Sequence, residues 1–277
     1  MPLRHGGDES GRGLRRPCGG RSPVRGFGAF LRKELVEIGR TWRIFVLPGL
    51  LLLMGLMSPV VAQLTPRLVE SLAQSQPGAV IEIPEAGALD AYLQWTKNLT
   101  QIVLIALIIV AGGLVSSERQ SGTAVIVLTK PLSRSAFVLA KALSQALLLA
   151  AFTAVGALVC WLLTLAVFGE APVTALANST LLWLLLAIMF VGLMVLLSVA
   201  VNSQAGAAGI GLVGYLSLSI LSAWGAGRDY TPAGLLSGMN AVITGDKADL
   251  FMPLVTTVAL VVLFLFAAVA VFRRQEL

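Results

Sequence analysis

The chain has few of the residues on which most catalytic and metal sites depend. It contains a single histidine, His5, and two cysteines, Cys18 and Cys160, among its 277 residues. One histidine in an N-terminal stretch rich in glycine and arginine leaves no histidine pair for a metal site or a catalytic dyad. Cys18 lies in that basic stretch and Cys160 lies within a long apolar run, so no disulfide framework is predicted.

Charge is absent from six long stretches of the sequence. Each stretch has about the length needed to cross a hydrocarbon core of about 30 Å. The chain as a whole has 57% apolar residues, 12% charged residues and a mean hydropathy of +0.87. Together with this composition, the six stretches predict an all-α, multi-pass protein of the cell membrane. The predicted spans are residues 44–62, 99–115, 142–168, 180–201, 205–224 and 253–272.

Nucleotide-handling and hydrolytic motifs are also missing. The sequence has no G-x-x-x-x-G-K-[ST], no H-E-x-x-H and no G-x-S-x-G. Residues 209–214 match G-x-G-x-x-G, but a dinucleotide fold needs a soluble βαβ unit, which an apolar span does not provide. The chain is therefore predicted not to be an enzyme and to hold no cofactor or metal of its own.

The predicted spans also lack the ionisable residue that ion-coupled transporters usually place near mid-membrane. This absence favours an energy source outside the chain. Unwound backbone carbonyls bind sodium without a charge, so an ion-coupled secondary transporter remains an alternative, as does a non-transporting membrane scaffold.

The positive charge is distributed unevenly between the predicted spans. Sixteen of the 20 Lys and Arg residues lie in residues 1–43, in the stretch 116–141 and after the last span, whereas the other connections hold eight of the 14 acidic residues. The positive-inside rule then places both termini and the stretch 116–141 in the cytoplasm. Because this rule accounts for the net charge of +6, no nucleic-acid partner is predicted.

The N-terminal region divides into two parts. Residues 1–25 are rich in Gly and Arg and are predicted to form a disordered basic tail. Residues 26–43 place their large apolar residues on one helical face, as in a helix lying in the membrane interface. Glu34 interrupts that face, which indicates either a carboxylate that snorkels or pairs with a nearby arginine, or a contact with a partner protein.

A short charged helix is predicted between the second and third spans. Glu118 and Arg119 mark the point where the second helix leaves the hydrocarbon. Thr123, following Gly122, is an acceptable N-cap, and Pro131 ends the helix because proline lacks an amide hydrogen. Two helical turns cannot cross a bilayer, so this helix is expected at the cytoplasmic surface.

A second helix is predicted to begin directly after Pro131. Ser133 or Ser135 can cap it. It carries Arg134 and Lys141 before it becomes a span without charge.

The fifth span opens with small residues at helical spacing. Ala205 and Gly209, and likewise Ala207 and Gly211, lie four residues apart, so another helix can approach closely. This face is predicted to be a subunit interface or a pathway lining, and ordinary packing within the chain explains the pattern equally well.

Two longer connections are predicted on the external side, residues 63–98 and 225–252. The first is expected to hold a short helix near residues 89–95. In the second, residues 235–243 are apolar enough to re-enter the membrane.

The stretch 116–141 supports a resemblance. Its E-R-x-x-G-T, L-T-K-P-L-S-R and F-V-L-A-K sequences resemble the cytoplasmic insert of the membrane subunits of ABC type-2 transporters. The R-K-E-L sequence at residues 32–35 is similar to the interfacial elbow helix of that family. The similarity in topology extends over residues 26–277, which would form one six-helix permease domain.

The resemblance implies a permease half that dimerises with a second copy or a paralogue and docks two ATP-binding subunits. Those subunits would hold ATP and Mg, and their closure would press on the helix after Gly122. Residues 124–128 depart from the pattern because they are uniformly apolar where many relatives have charges. The residues assigned to coupling are Glu118, Arg119, Gly122, Thr123, Pro131, Arg134, Lys141 and Glu34.

Overall fold

The computed structural model describes residues 28, 31–36, 43–73, 86–117 and 133–274, and within these ranges the chain is helical, with no β-strand. Residues 31–36 are helical, within the predicted elbow helix. The predicted tail 1–25 and residues 118–132 lie outside the described ranges. The further helices, in chain order, are α1 (Arg43–Ala73), α2 (Ala88–Asn98), a π-helical segment (Leu99–Val103), α3 (Leu104–Ala111), α4 (Arg134–Phe168), α5 (Val173–Ala200), α6 (Gln204–Ser222), α7 (Gly225–Tyr230), α8 (Gly234–Thr244) and α9 (Phe251–Arg274).

Six helical stretches are long and apolar enough to cross a membrane, which confirms the prediction of an all-α, six-span chain for the described residues. The second stretch combines α2, the π-helical segment and α3. The six stretches are Phe45–Ser71, Ala88–Ala111, Arg134–Phe168, Val173–Ala200, Gln204–Ser222 and Phe251–Arg274.

The first two spans are longer than the sequence analysis predicted. Helix α1 continues to Ala73, and α2 begins at Ala88 within the predicted external loop 63–98. The expected helix near residues 89–95 is thus part of a span. The predicted spans ended at the first charged residue, because they were defined as stretches without charge. The charged residues here are exposed on the helix surface and do not interrupt the helix. The charged residues added to the two spans are Arg67, Glu70, Asp90 and Lys97.

Helix α5 occupies the centre of the bundle. It contacts α2, α3, α4, α6, α8 and α9, and it is the most buried of the six candidate spans. Trp183 and Phe190 on this helix are among the largest fully buried side chains. The Nε1–H of Trp95 on α2 donates to Thr180 Oγ1 on α5 over 3.1 Å, which fixes the second span against the central helix.

Helices α1 and α4 approach each other closely at a pair of glycines. A Cβ added to Gly55 would lie 2.5 Å from the backbone oxygen of Gly156, and a Cβ added to Gly156 would lie 3.0 Å from the Leu51 oxygen. No side chain fits between the two backbones at this crossing, so glycine is required there.

The spans define two ends of the bundle. Residues 117 and 133, where the undescribed segment leaves and returns, lie at the insert end. The opposite, distal end carries the end of α1 at Ala73, the start of α2 at Ala88 and the 223–250 connection. There α8 forms where the sequence predicted a re-entrant piece at 235–243, and it buries Leu235, Met239 and Ile243.

Substitution Gly55→Ala is expected to lower the free energy of unfolding by about 1–3 kcal/mol, because the added methyl group overpacks the α1–α4 crossing. The matched control is Gly49→Ala on the same helix, where an added Cβ meets nothing within 4 Å. That variant should be neutral or slightly stabilising. Thermal unfolding in detergent measures both, and equal stability of the two variants would contradict the close approach.

Candidate functional site

The structure describes both ends of the insert that the sequence singled out, but not its middle. Glu118, Arg119, Gly122, Thr123 and Pro131 lie outside the described residues. The two flanks are described, and each makes buried polar contacts with other helices. These contacts form the candidate site.

The downstream flank begins at a capped helix. Ser133 Oγ accepts a hydrogen bond from the Ala136 N–H over 3.2 Å, and Ser133 has the extended backbone of an N-cap. The structure thus selects Ser133 over Ser135, and α4 begins at Arg134. The cap fixes where the chain re-enters the bundle.

Glu34 and Lys141 form a buried ion pair that joins the N-terminal helical segment to α4. Lys141 Nζ donates to Glu34 Oε2 over 3.0 Å, and the two side chains are only 4% and 5% exposed. Lys33 Nζ lies 3.4 Å from the other carboxylate oxygen. Glu34 therefore has an ionic partner within the chain, and this partner is a lysine 107 residues away, where the sequence analysis had considered a nearby arginine.

Aromatic rings and a helix end surround this ion pair. The Phe137 ring stacks on Phe272 with centroids 5.5 Å apart, and Lys141 Nζ lies 5.3 Å from the Phe137 centroid, within cation–π range. Arg134 Nη1 donates to the Arg273 carbonyl over 3.2 Å.

We call the five side chains on this flank the downstream cluster. They connect residues 31–36, the start of α4 and the end of α9. The cluster consists of Glu34, Arg134, Phe137, Lys141 and Phe272.

The upstream flank is held by one serine of the central helix. Ser198 Oγ on α5 accepts from the backbone N–H of Val115 over 2.8 Å and of Ser116 over 3.0 Å. Ser198 is fully buried. Helix α3 has ended at Ala111, so these two N–H groups lie where the chain passes from the second span into the insert. We call Val115, Ser116 and Ser198 the upstream clamp, and sequence reasoning did not identify it.

The small residues of α6 divide between two environments. Ala207 and Gly211 are buried, and a Cβ added to Gly211 would lie 2.5 Å from Met194 Sδ. This pair packs within the chain. Ala205 and Gly209 are exposed, with nothing within 4 Å of a Cβ added to Gly209, and only for this pair does a subunit interface remain a prediction.

A cavity of about 720 Å³ opens at the distal end between α1, the second span, α6 and α8. Sequence reasoning did not identify it, because part of its wall, including Asp90, Gln94 and Lys97, was assigned to a loop. Eleven of its lining residues are polar, and these are Thr65, Asp90, Gln94, Thr96, Lys97, Thr100, Gln101, Tyr215, Ser219, Ser222 and Asn240.

No metal centre is found in the part of the chain that the structure describes. No group of three His, Cys, Asp or Glu side chains lies close enough there to hold an ion. The chemistry of the site is thus that of buried ion pairs, hydrogen bonds and a polar cavity.

Comparison with known proteins agrees with a membrane location. Residues 75–277 match the family described as "Protein of unknown function (DUF2705)". The chain is also similar to "Uncharacterized transmembrane protein YxlG" of Bacillus subtilis (strain 168), with 23% identity over 252 residues, which are 90% of this chain and 97% of that protein. Together with the six candidate spans, these similarities indicate a multi-pass membrane protein.

Replacing one member of the ion pair should destabilise the chain strongly. Glu34→Gln deprives the buried ammonium of Lys141 of the Glu34 carboxylate, which typically costs about 3–5 kcal/mol. The double variant Glu34→Leu with Lys141→Met is expected to recover most of this loss, because no buried charge remains. Thermal unfolding in detergent provides the measurement.

Asp229→Asn serves as the control for the ion-pair variants. It removes one charge of the Arg228–Asp229 pair, whose side chains are 53% and 61% exposed. The loss should stay below about 1 kcal/mol. A double variant as unstable as Glu34→Gln would show that shape, and not charge pairing, makes the two positions important.

Removing the Ser198 hydroxyl should loosen the upstream flank. Ser198→Ala leaves two backbone N–H groups without this acceptor, and amide exchange at Val115 and Ser116 should accelerate about tenfold or more. The control is Ser217→Ala, since the exposed Ser217 hydroxyl donates only to Val213 O within its own helix. Hydrogen exchange with mass spectrometry measures the exchange rate of the 110–117 peptide in each variant. An unchanged rate in Ser198→Ala would argue against the clamp.

Proposed function

The chain belongs to the DUF2705 family, and we propose, from the resemblance of its 116–141 insert to that of ABC type-2 membrane subunits, that it is the membrane-spanning permease subunit of an ATP-driven export system. Separate ATP-binding subunits would dock on the insert 116–141. The observation that carries the proposal is that both flanks of this insert are fixed in the spans by buried polar contacts.

The two flanks provide a physical route from the insert to the spans. A displacement of the upstream flank acts through the clamp on α5, the central helix. A displacement of the downstream flank acts on α4, on α9 through Arg134 and Phe137, and on residues 31–36 through Lys141. Because buried hydrogen bonds and ion pairs are costly to break, the helices should move with the insert before these contacts yield.

The partners follow from what the sequence lacks. The chain has no phosphate-binding loop, so ATP and Mg would be held by the ATP-binding subunits, two per transporter. A second permease half, either another copy or a paralogue, would complete the transporter in the plasma membrane with both termini cytoplasmic. The exposed Ala205 and Gly209 face of α6 is the surface we assign to that contact.

One observation favours a second candidate function, an ion-coupled secondary transporter. Asp90 and Lys97 lie within a candidate span and line the distal cavity, so the second span is not free of charge. Transport that continues without any ATPase but stops when the ion gradient is dissipated would support this alternative.

Photo-crosslinking tests the proposed docking directly. A benzophenone amino acid placed at Thr123 in the full chain should crosslink to a protein that binds and hydrolyses ATP when the chain is expressed in its native host. The same probe at Asp229, at the distal end, is the control and should give no such product. Capture of proteins without nucleotide-binding activity from Thr123, in repeated experiments, would count against the proposal.

The coupling role of Arg134 gives a second readout in the same complex. Arg134→Gln, and likewise a bulky replacement of Gly122, should uncouple ATP hydrolysis from transport and leave membrane insertion intact. Arg228→Gln is the matched control because its side chain is exposed at the distal end. Unchanged transport in both coupling variants would contradict the docking assignment.

A further inference from the structure

The distal cavity combines polar and apolar walls in a way that suits a particular kind of molecule. One side presents Ala62, Pro66 and Val69 of α1, and Leu236 and Met239 of α8 contribute further apolar surface. The second span and α6 contribute mainly hydroxyl and amide groups. A ligand that fills this space therefore has both an apolar and a polar part.

The hydroxyl groups of the cavity act mainly as hydrogen-bond acceptors. Thr65 Oγ1 donates to Val61 O over 2.7 Å, and Thr100 Oγ1 donates to Thr96 O over 2.8 Å. A hydroxyl has one hydrogen and two lone pairs, so a hydroxyl that donates to its own helix has only acceptor capacity left. The same holds for the lining residues Thr96, Ser219 and Ser222.

The amide of Gln94 adds a further acceptor to the cavity wall. Its Nε2 donates to Asn98 Oδ1 over 2.9 Å, and Asn98 in turn donates to Ser58 Oγ over 3.0 Å on α1. This chain of hydrogen bonds uses one of the two amide hydrogens of Gln94, so its carbonyl oxygen remains to accept and one N–H remains to donate. The cavity wall is therefore rich in acceptors and suits a ligand with several N–H or O–H donors.

Two opposite charges lie along the same wall. Asp90 and Lys97 are seven residues apart on one helix, so they share a face and their Cα atoms are about 10 Å apart. Asp90 Oδ2 accepts from the Gly87 N–H over 2.8 Å, which fixes the carboxylate at the start of α2. The two charges cancel, so the lining as a whole suits a ligand without net charge.

We propose that the distal cavity binds a zwitterionic amphipathic molecule that carries a primary ammonium group and an anionic group. The ammonium donates to Asp90 and to the acceptor-rich wall, the anionic group faces Lys97, and the apolar part lies against α1 and α8. A primary ammonium has three N–H donors, whereas a quaternary ammonium has none and cannot satisfy this wall.

The proposal concerns binding by this chain alone. As a statement about the exported substrate it rests on the proposed function, but the site itself requires no ATPase. Failure to find an ATP-binding partner would leave the cavity proposal standing, and failure of ligand binding would leave the docking proposal standing.

Ligand-dependent thermal stabilisation of the purified full chain in detergent tests the site. The probes are short-chain phosphatidylethanolamine and phosphatidylcholine with identical acyl chains, together with dileucine and its N-acetylated form. Phosphatidylethanolamine or dileucine should stabilise the chain, and its choline or acetylated counterpart should bind at least about tenfold more weakly, because charge-assisted hydrogen bonds are lost. If the lipid pair shows this difference in stabilisation, the ligand is a lipid, and if the dileucine pair shows it, the ligand is a peptide.

Variants connect the binding to the cavity. Asp90→Asn retains an oxygen that can accept from Gly87 and should weaken binding about tenfold or more, as should Lys97→Gln. Asp229→Asn, an exposed charge elsewhere at the distal end, should bind as the unmodified chain does. The proposal would be overturned if the ethanolamine and choline lipids stabilised the chain equally and the two dileucine forms did so as well. It would also be overturned if neither the Asp90 nor the Lys97 variant changed binding.

Discussion

The buried contact between Glu34 and Lys141 is the constraint on which the insert end of the structure depends. Two charges removed from water are tolerated only when they face each other at short range, as they do here at 3.0 Å. The pair therefore fixes three segments that the sequence separates widely: residues 31–36, the start of α4 and, through the Phe137–Phe272 stack, the end of α9. With Ser198 holding the opposite flank, both ends of the insert are tied to the helices.

Helix length relates the two ends of the molecule. Helix α1 has 31 residues and α4 has 35, so at 1.5 Å per residue both exceed a hydrocarbon core of about 30 Å by several turns. The excess length accommodates charged residues without placing them in the middle of the bilayer. At the insert end it carries Arg134 and Lys141, and on α1 at the distal end it carries Arg67 and Glu70.

Much of the fold was predictable from the sequence, because long apolar runs leave helices as the structure that satisfies the backbone in a membrane. The span count was predicted in this way, whereas the start of α4 was predicted from capping, with Ser133 and Ser135 as the two candidates. The start of the second span was missed because Asp90 and Lys97 ended the charge-free run, although Asp90, Gln94, Lys97 and Gln101 follow helical spacing. The Glu34–Lys141 and Ser198 contacts are long-range, and neither composition nor periodicity specifies such pairings.

The π-helical segment Leu99–Val103 has a consequence for the direction in which the second span faces its neighbours. A π turn contains one residue more than an α turn, so everything after it is rotated by about 100° relative to an uninterrupted α-helix. Because of this offset, the part of the second span before the π-helical segment presents Gln94 and Lys97 to the distal cavity. The part after it buries Leu107 and Ile108 in the core. Deleting the extra residue would rotate α3 away from α5 and α6, which it contacts. This single-residue insertion therefore sets the angle between the cavity-facing and core-facing parts of the second span.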